Sequence, residues 1–130
     1  MKKRNIDVVC RQGQYKGIGF IRSRKSEDKV IDMAEEMIAV AERHSICLDG
    51  ILVDDSGSRD IDREKIGELY EYMERGCISV ALVRSIFDIT NDRDDLFQFL
   101  KKAGECGVSV YSMEHNLCPV CVPWDGGGSL

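Results

Sequence analysis

The sequence has no run of about 18 apolar residues, so no membrane-spanning helix is expected from it. Its opening, "MKKRNIDVVCRQG", is basic but lacks the apolar stretch of a secretory leader, so a cytoplasmic protein is expected. Basic charge is not in excess either. Against 18 Lys and Arg stand 23 Asp and Glu, for a net charge of -5. A whole-surface footprint for nucleic acid is therefore excluded, and only a local basic patch can serve one. Absent too are the phosphate-cradling G-x-x-x-x-G-K-[ST], the dinucleotide G-x-G-x-x-G, the zinc-binding H-E-x-x-H and the nucleophile elbow G-x-S-x-G.

What is present is 130 residues with 43% hydrophobic content, enough to bury one core without disulfide or metal support. The reading is one domain over residues 1–116 and a tail over 117–130 ending in Gly-rich "WDGGGSL". The six cysteines of an unsecreted chain are expected as reduced thiols. Cys10, Cys77 and Cys106 lie in or beside apolar stretches, where cysteine behaves as a small core residue. Cys118 and Cys121 form a C-x-x-C, and His115 is near enough to be a third ligand. A structural zinc site needs four ligands, so neither metal nor cofactor is expected.

The chain alternates strand-like and helix-like segments. "NIDVVCR" reads as a short strand or extended arm, and "GIGFI" as a strand buried on both faces. From Ser26, a plausible N-cap, Val30, Met33, Ala34, Met37, Ile38 and Ala41 follow the 3.6-residue period of a helix. "LDGILVDD" is a second buried strand. A helix capped by Asp60 or Asp62 runs to Arg75 and stops at Gly76. "CISVALV" is the third strand. Another helix starts at Asn91 or Asp92, with Leu96, Phe97, Phe99 and Leu100 turned inward, and "GVSVYSM" is the last strand. This order predicts an α/β fold, a three-layer αβα sandwich around a mostly parallel sheet of four to five strands. Ligands of such sheets sit beyond the carboxyl ends of the strands.

Three of those ends carry chemistry. "IRSRKSED" brings Ser23 and Ser26 beside Arg22, Arg24 and Lys25. A serine that attacks a phosphodiester needs such cations around the phosphate, and Arg63 and Arg84 lie at neighbouring strand ends. The plainer reading makes Ser26 an N-cap and the arginines a solvated rim. "VDDSGSRDIDRE" offers Asp54, Asp55, Asp60 and Asp62 to a magnesium ion, but lacks the partner Lys or Thr that metal-dependent phosphoryl chemistry uses. The third end, Phe87-Asp88-Ile89-Thr90-Asn91, carries no Arg, His, Cys or Lys.

Taken in order, these segments resemble the catalytic domain of serine recombinases, the resolvase/invertase family. "GFIRSRKSED" is similar to that family's Tyr-x-Arg-x-Ser strand end. "VDDSGSRDIDREKIGELYEYMERGCISVALVRS" is similar to its Asp-x-x-Ser-Gly loop, Asp-Arg helix start and third strand. "DRDDLFQFLKKAGECGVSVYSMEHN" resembles the helix and strand that follow. The resemblance implies a serine that joins covalently to the DNA backbone and arginines that neutralise the scissile phosphate. Arg22 and Arg63 match two of those arginines. Ungapped counting puts Arg24 at the nucleophile, with Ser23 one residue early, and Ser26 fits if two residues are inserted. Where the family has Asp-Arg-Leu-x-Arg, this chain has Phe87, Asp88, Ile89, Thr90 and Asn91. Phe87 replaces the acid, and Asp88 and Asn91 replace the two arginines. Losing one preorganised donor costs on the order of 10²–10³ in rate, and a carboxylate repels the transition state besides. The family's long dimerisation helix and DNA-binding region are not visible in the sequence. The expectation is a recombinase-like domain degenerate in strand cleavage and kept as an interaction module, pairing with itself or with another recombinase, with DNA as a weak partner. The alternatives are an active recombinase using Ser26 or Ser23, and an unrelated α/β domain that binds a small anion or nucleotide.

Overall fold

The computed structural model describes residues 5–7, 15–58, 60–114 and 118–119. Its strands are β1 (Ile6–Asp7), β2 (Tyr15–Arg22), β3 (Ile46–Asp54), β4 (Val80–Val83), β5 (Ser109–Ser112) and β6 (Cys118–Pro119). Its helices are α1 (Glu27–Arg43), α2 (Glu64–Glu74) and α3 (Arg93–Glu105), with a 3-10 turn at Ile86–Asp88. The sheet order is β1-β3-β2-β4-β5-β6. The four longer strands run parallel, and the two-residue strands at the edges pair antiparallel.

Period-two alternation assigns each strand residue to one of two cores. Ile51, Val53, Val80 and Leu82 face α1, which contributes Val30, Ala34, Met37 and Ala41. Leu52, Ala81, Val83 and Val110 face α2 and α3, which contribute Ile66, Leu69, Met73, Phe99 and Ala103. Helices thus cover both sheet faces, as the alternation of segments predicts. Close approach at Gly19 sets the α1 layer: a Cβ there would lie 2.5 Å from Met37 Sδ and 3.0 Å from Ile51 Cγ1.

Several boundaries differ from expectation, for local reasons. α2 begins at Glu64, with Arg63 as N-cap, because the two candidate aspartates are spent in the turn before it. Asp60 Oδ1 accepts from the Asp62 N–H at 2.9 Å and the Asp60 carbonyl from the Arg63 N–H at 3.3 Å. Gly76 does end α2, at φ +72°, a conformation that costs glycine little. β4 starts only at Val80, and Cys77 is exposed rather than core. Phe97 is 46% exposed, because the apolar stripe of α3 closes over Phe99 and Ala103. Cys47 is disulfide-bonded, so the expectation of reduced thiols fails there: an argument from compartment does not tell which sulfurs a fold brings together. Cys106 packs against the core, whereas Cys10, His115 and Cys121 lie outside the described residues. No helix among the described residues is long and apolar enough to cross a membrane.

Candidate functional site: a latched arginine at the strand ends

The carboxyl ends of β2, β3 and β4 bring together the three loops singled out in the sequence. β3 ends in Asp54, 1% exposed, whose side chain and carbonyl tie the loops together. Its Oδ1 accepts from the Ser56 N–H at 3.0 Å, and its carbonyl accepts from the Ser23 N–H at 2.9 Å. Its Oδ2 accepts from Arg63 Nε at 2.5 Å. Burial pushes the Asp54 carboxyl up, but the Arg63 and Ser56 hydrogen bonds outweigh it and hold the group below the ordinary carboxylate value.

Arg63 is 6% exposed and spends its guanidinium on the protein. Beyond Asp54, Nη1 donates to the carbonyls of Asp60 at 3.2 Å and Ile89 at 2.9 Å, and Nη2 donates to the Asp88 carbonyl at 2.6 Å. Its Cζ stands 6.0 Å from the centre of the Phe20 ring. A guanidinium carries five N–H donors, so one Nη2 proton is left. Arg63 therefore joins β3, the start of α2 and the loop after β4. The sequence pointed to this arginine but not to its partner. The signal for Asp54 was a carboxylate ending an apolar strand, and it was weighed for a metal instead. Among the described residues no three His, Cys, Asp or Glu side chains come together to hold a metal ion.

The other cations lie nearer the surface. Arg22, half-buried at the end of β2, donates through Nη2 to the Ser58 carbonyl. Arg24 is exposed, and its guanidinium lies against Gly57, where a Cβ would come within 3.2 Å of Nη1. Lys25 is exposed, and Arg84 is half-buried just past β4. The basic β2–α1 loop is thus folded onto the acidic β3–α2 loop.

The two serines part company. Ser23 is 9% exposed, and its Oγ accepts from the Lys25 N–H at 3.1 Å. Ser26 is exposed and occupies the N-cap position of α1, where its carbonyl accepts from the Val30 N–H at 3.1 Å but its hydroxyl makes no capping bond.

In the loop after β4, Ser85 Oγ accepts from the Phe87 N–H at 3.2 Å and starts the 3-10 turn. Phe87 points outward, 62% exposed, and Asn91 is exposed too. Asp88 is turned inward. Its Oδ2 is buried without a hydrogen-bond partner. Burial pushes the Asp88 carboxyl up to about 6, against the opposing pull of the Arg22 main-chain N–H and the Arg84 and Arg22 charges; Glu114 adds to the rise.

With this geometry in place, solved structures supply the comparison. The C-terminal catalytic domain of ISC1926 TnpA, an IS607-like serine recombinase, superposes with a TM-score of 0.67 at 13% identity, over 75% of this chain and 67% of that one. This is the serine recombinase catalytic-domain fold. The N-terminal catalytic domain of TP901-1 integrase has a TM-score of 0.58 at 17% identity, over 78% of each chain. A resolvase family site-specific recombinase from Streptococcus pneumoniae has a TM-score of 0.56 at 16% identity, over 78% of this chain and 73% of that one. No family model and no curated protein matches the sequence. On the serine recombinase fold, Phe87 to Asn91 follow the strand that pairs with both β2 and β5.

Proposed function

We propose that this is a recombinase-like domain that has lost DNA strand cleavage and serves as an interaction module, pairing with a second copy or with an active recombinase. The observation that carries the reading is the pair Arg63 and Asp88. The arginine that the resemblance assigns to the scissile phosphate is committed to Asp54, Asp60, Asp88 and Ile89. The position that the resemblance assigns to an arginine holds an inward carboxylate. A transition state that gathers negative charge needs preorganised donors there, and a carboxylate works against it. Phe87, exposed on the same loop, gives a partner an apolar contact beside the site.

The second reading, an active recombinase, rests on Ser26, whose hydroxyl is exposed and makes no capping bond at the head of α1. Of the two serines it is the one an incoming phosphodiester can reach. Covalent trapping separates the readings. The protein and its Ser26→Ala and Ser23→Ala variants are incubated with supercoiled DNA carrying candidate crossover sites, then denatured. Our reading expects no protein–DNA adduct from any of them. An adduct that disappears in one serine variant would establish an active enzyme and name its nucleophile.

A further inference from the structure

We propose that the groove between α1 and the edge strand β1 is a docking site for a basic amphipathic helix of another protein, with the apolar ridge of that helix on Ile31 and its Lys or Arg side chains paired with Glu27 and Glu35. The inference deepens the interaction-module reading above and rests on it, because it names a surface of that module and the chemistry of its partner.

Two neighbouring rows of α1 side chains meet different surroundings. Val30 and Ala34 are buried against the sheet, and Ile38 packs on the same core. The row beside them, Glu27, Ile31 and Glu35, is spaced by one helical turn and stays exposed. Asn5 and Ile6 form the opposite wall of a cleft of about 390 Å³. Asn5 fixes that wall. Its Oδ1 accepts from the Val53 N–H and from Lys65 Nζ, each at 3.0 Å, and its Nδ2 donates to Glu68 Oε1 at 3.0 Å. The groove is thus formed before a partner arrives, which lowers the ordering cost of binding. A single exposed isoleucine on a surface needs no explanation. Ile31, 45% exposed, differs because it continues an apolar strip of Ile6, Val30, Ala34 and Ile38 and has a carboxylate one turn before it and one turn after. Among the described residues no ion pair engages Glu27 or Glu35. They lie about 12 Å apart along the helix axis, so cations two turns apart on a facing helix can reach both. The rest of α1 has the same sign, with six carboxylates in all against Lys29 and Arg43. That charge selects the occupant. Two copies of this face would set like charges opposite each other, and nucleic acid would be repelled. A groove that follows the length of a helix suits a second helix, anchored by apolar residues at i, i+3, i+4 and i+7.

The probe is a fluorescently labelled synthetic helix with leucines along one face and two lysines, two turns apart, beside them. The full chain is titrated into it and anisotropy is read. Amide NMR shifts locate the contact, and far-UV circular dichroism checks that each variant is folded. Binding is expected, with shifts at Ile6, Ile31, Ala34 and Ile38. Ile31→Ser, at an exposed position, should weaken it roughly tenfold. Glu27→Lys combined with Glu35→Lys should also weaken it roughly tenfold. That double variant should in turn bind the same helix with glutamates in place of its lysines better than the unchanged protein does, since the preference follows the charge. Glu71→Lys combined with Glu105→Lys makes the same charge change on the helices of the opposite sheet face and should leave affinity within about twofold. No binding by the unchanged protein up to about 1 mM, equal affinity for the two helices, no loss on Ile31→Ser, or shifts confined to other faces would overturn the proposal. Each of those results leaves the interaction-module reading standing, with Phe87 as its contact. A covalent adduct in the trapping experiment overturns that reading and leaves a measured groove affinity in place.

Discussion

A single side chain, Asp88, makes native stability depend on pH in an unusual direction. Its folded pKa is about 6 against an ordinary 3.8, so between those values the native state holds a proton that the unfolded chain has released. Stability from this group is greatest below the lower value and is lost as pH rises through about 6. Asp54 behaves oppositely: its carboxyl is held below 3.8, so its contribution is present above that value and is lost as pH falls through its folded pKa. The two place a stability maximum on the acid side of neutrality. Asp88→Asn should raise stability at about pH 7.5 by about 1–3 kcal/mol and leave it nearly unchanged at about pH 4, as read by urea unfolding at each pH. At this scale the sequence was partly legible. Asp88 stood out as a carboxylate in a position that the resemblance reserves for arginine. That Arg63 would be consumed by the protein was not legible, since its partners lie on Asp54, Asp60 and the carbonyls of a loop 25 and 26 residues away.

Among the elements, α3 separates periodicity from burial. Its apolar residues Leu96, Phe97, Phe99 and Leu100 cannot all face one layer, since 3.6 residues per turn spread them around the helix. Phe99 is fully buried and stacks at a tilt on Tyr70, ring centres 5.8 Å apart, while Phe97 is 46% exposed. Phe99→Ala should cost about 3–5 kcal/mol, whereas Phe97→Ser should stay within about 0.5 kcal/mol, both by denaturant unfolding. The start of the helix was legible: Asp92 Oδ1 accepts from the Asp95 N–H at 2.9 Å, as an aspartate before a periodic run predicts. The start of α2 was not, because Asp60 and Asp62 look equally good as caps until the preceding turn claims them.

For the molecule as a whole, the spacing of its layers depends on Gly19. Methionine and isoleucine occupy the volume that a Cβ would need, and only the Met37 side chain can move aside. Gly19→Ala should therefore destabilise the domain by about 1–3 kcal/mol, read as a lower unfolding midpoint with an unchanged m-value. In a double-mutant cycle, Gly19→Ala should cost less in a Met37→Ala background than in the unchanged protein, because the truncation empties the space the new Cβ needs, and that coupling identifies the contact between β2 and α1 as the source.

What the sequence by itself determined is the architecture: alternating segments of the right length, a two-residue period in the strands and a 3.6-residue period in the helices leave few alternatives to a parallel sheet covered on both faces. It also determined that the loops after the longer strands would gather, because parallel strands carry their following loops to one edge. What only the tertiary structure decided is how those loops are spent. Hydrogen bonds from Arg63 to the end of β3 and to the loop after β4 join residues distant along the chain, and no local pattern records them. Whether Asp88 faces water or the interior depends on the same contacts, through the hold of Arg63 on its carbonyl. Charge and spacing are written in the sequence, whereas burial and pairing exist only once the strands are side by side.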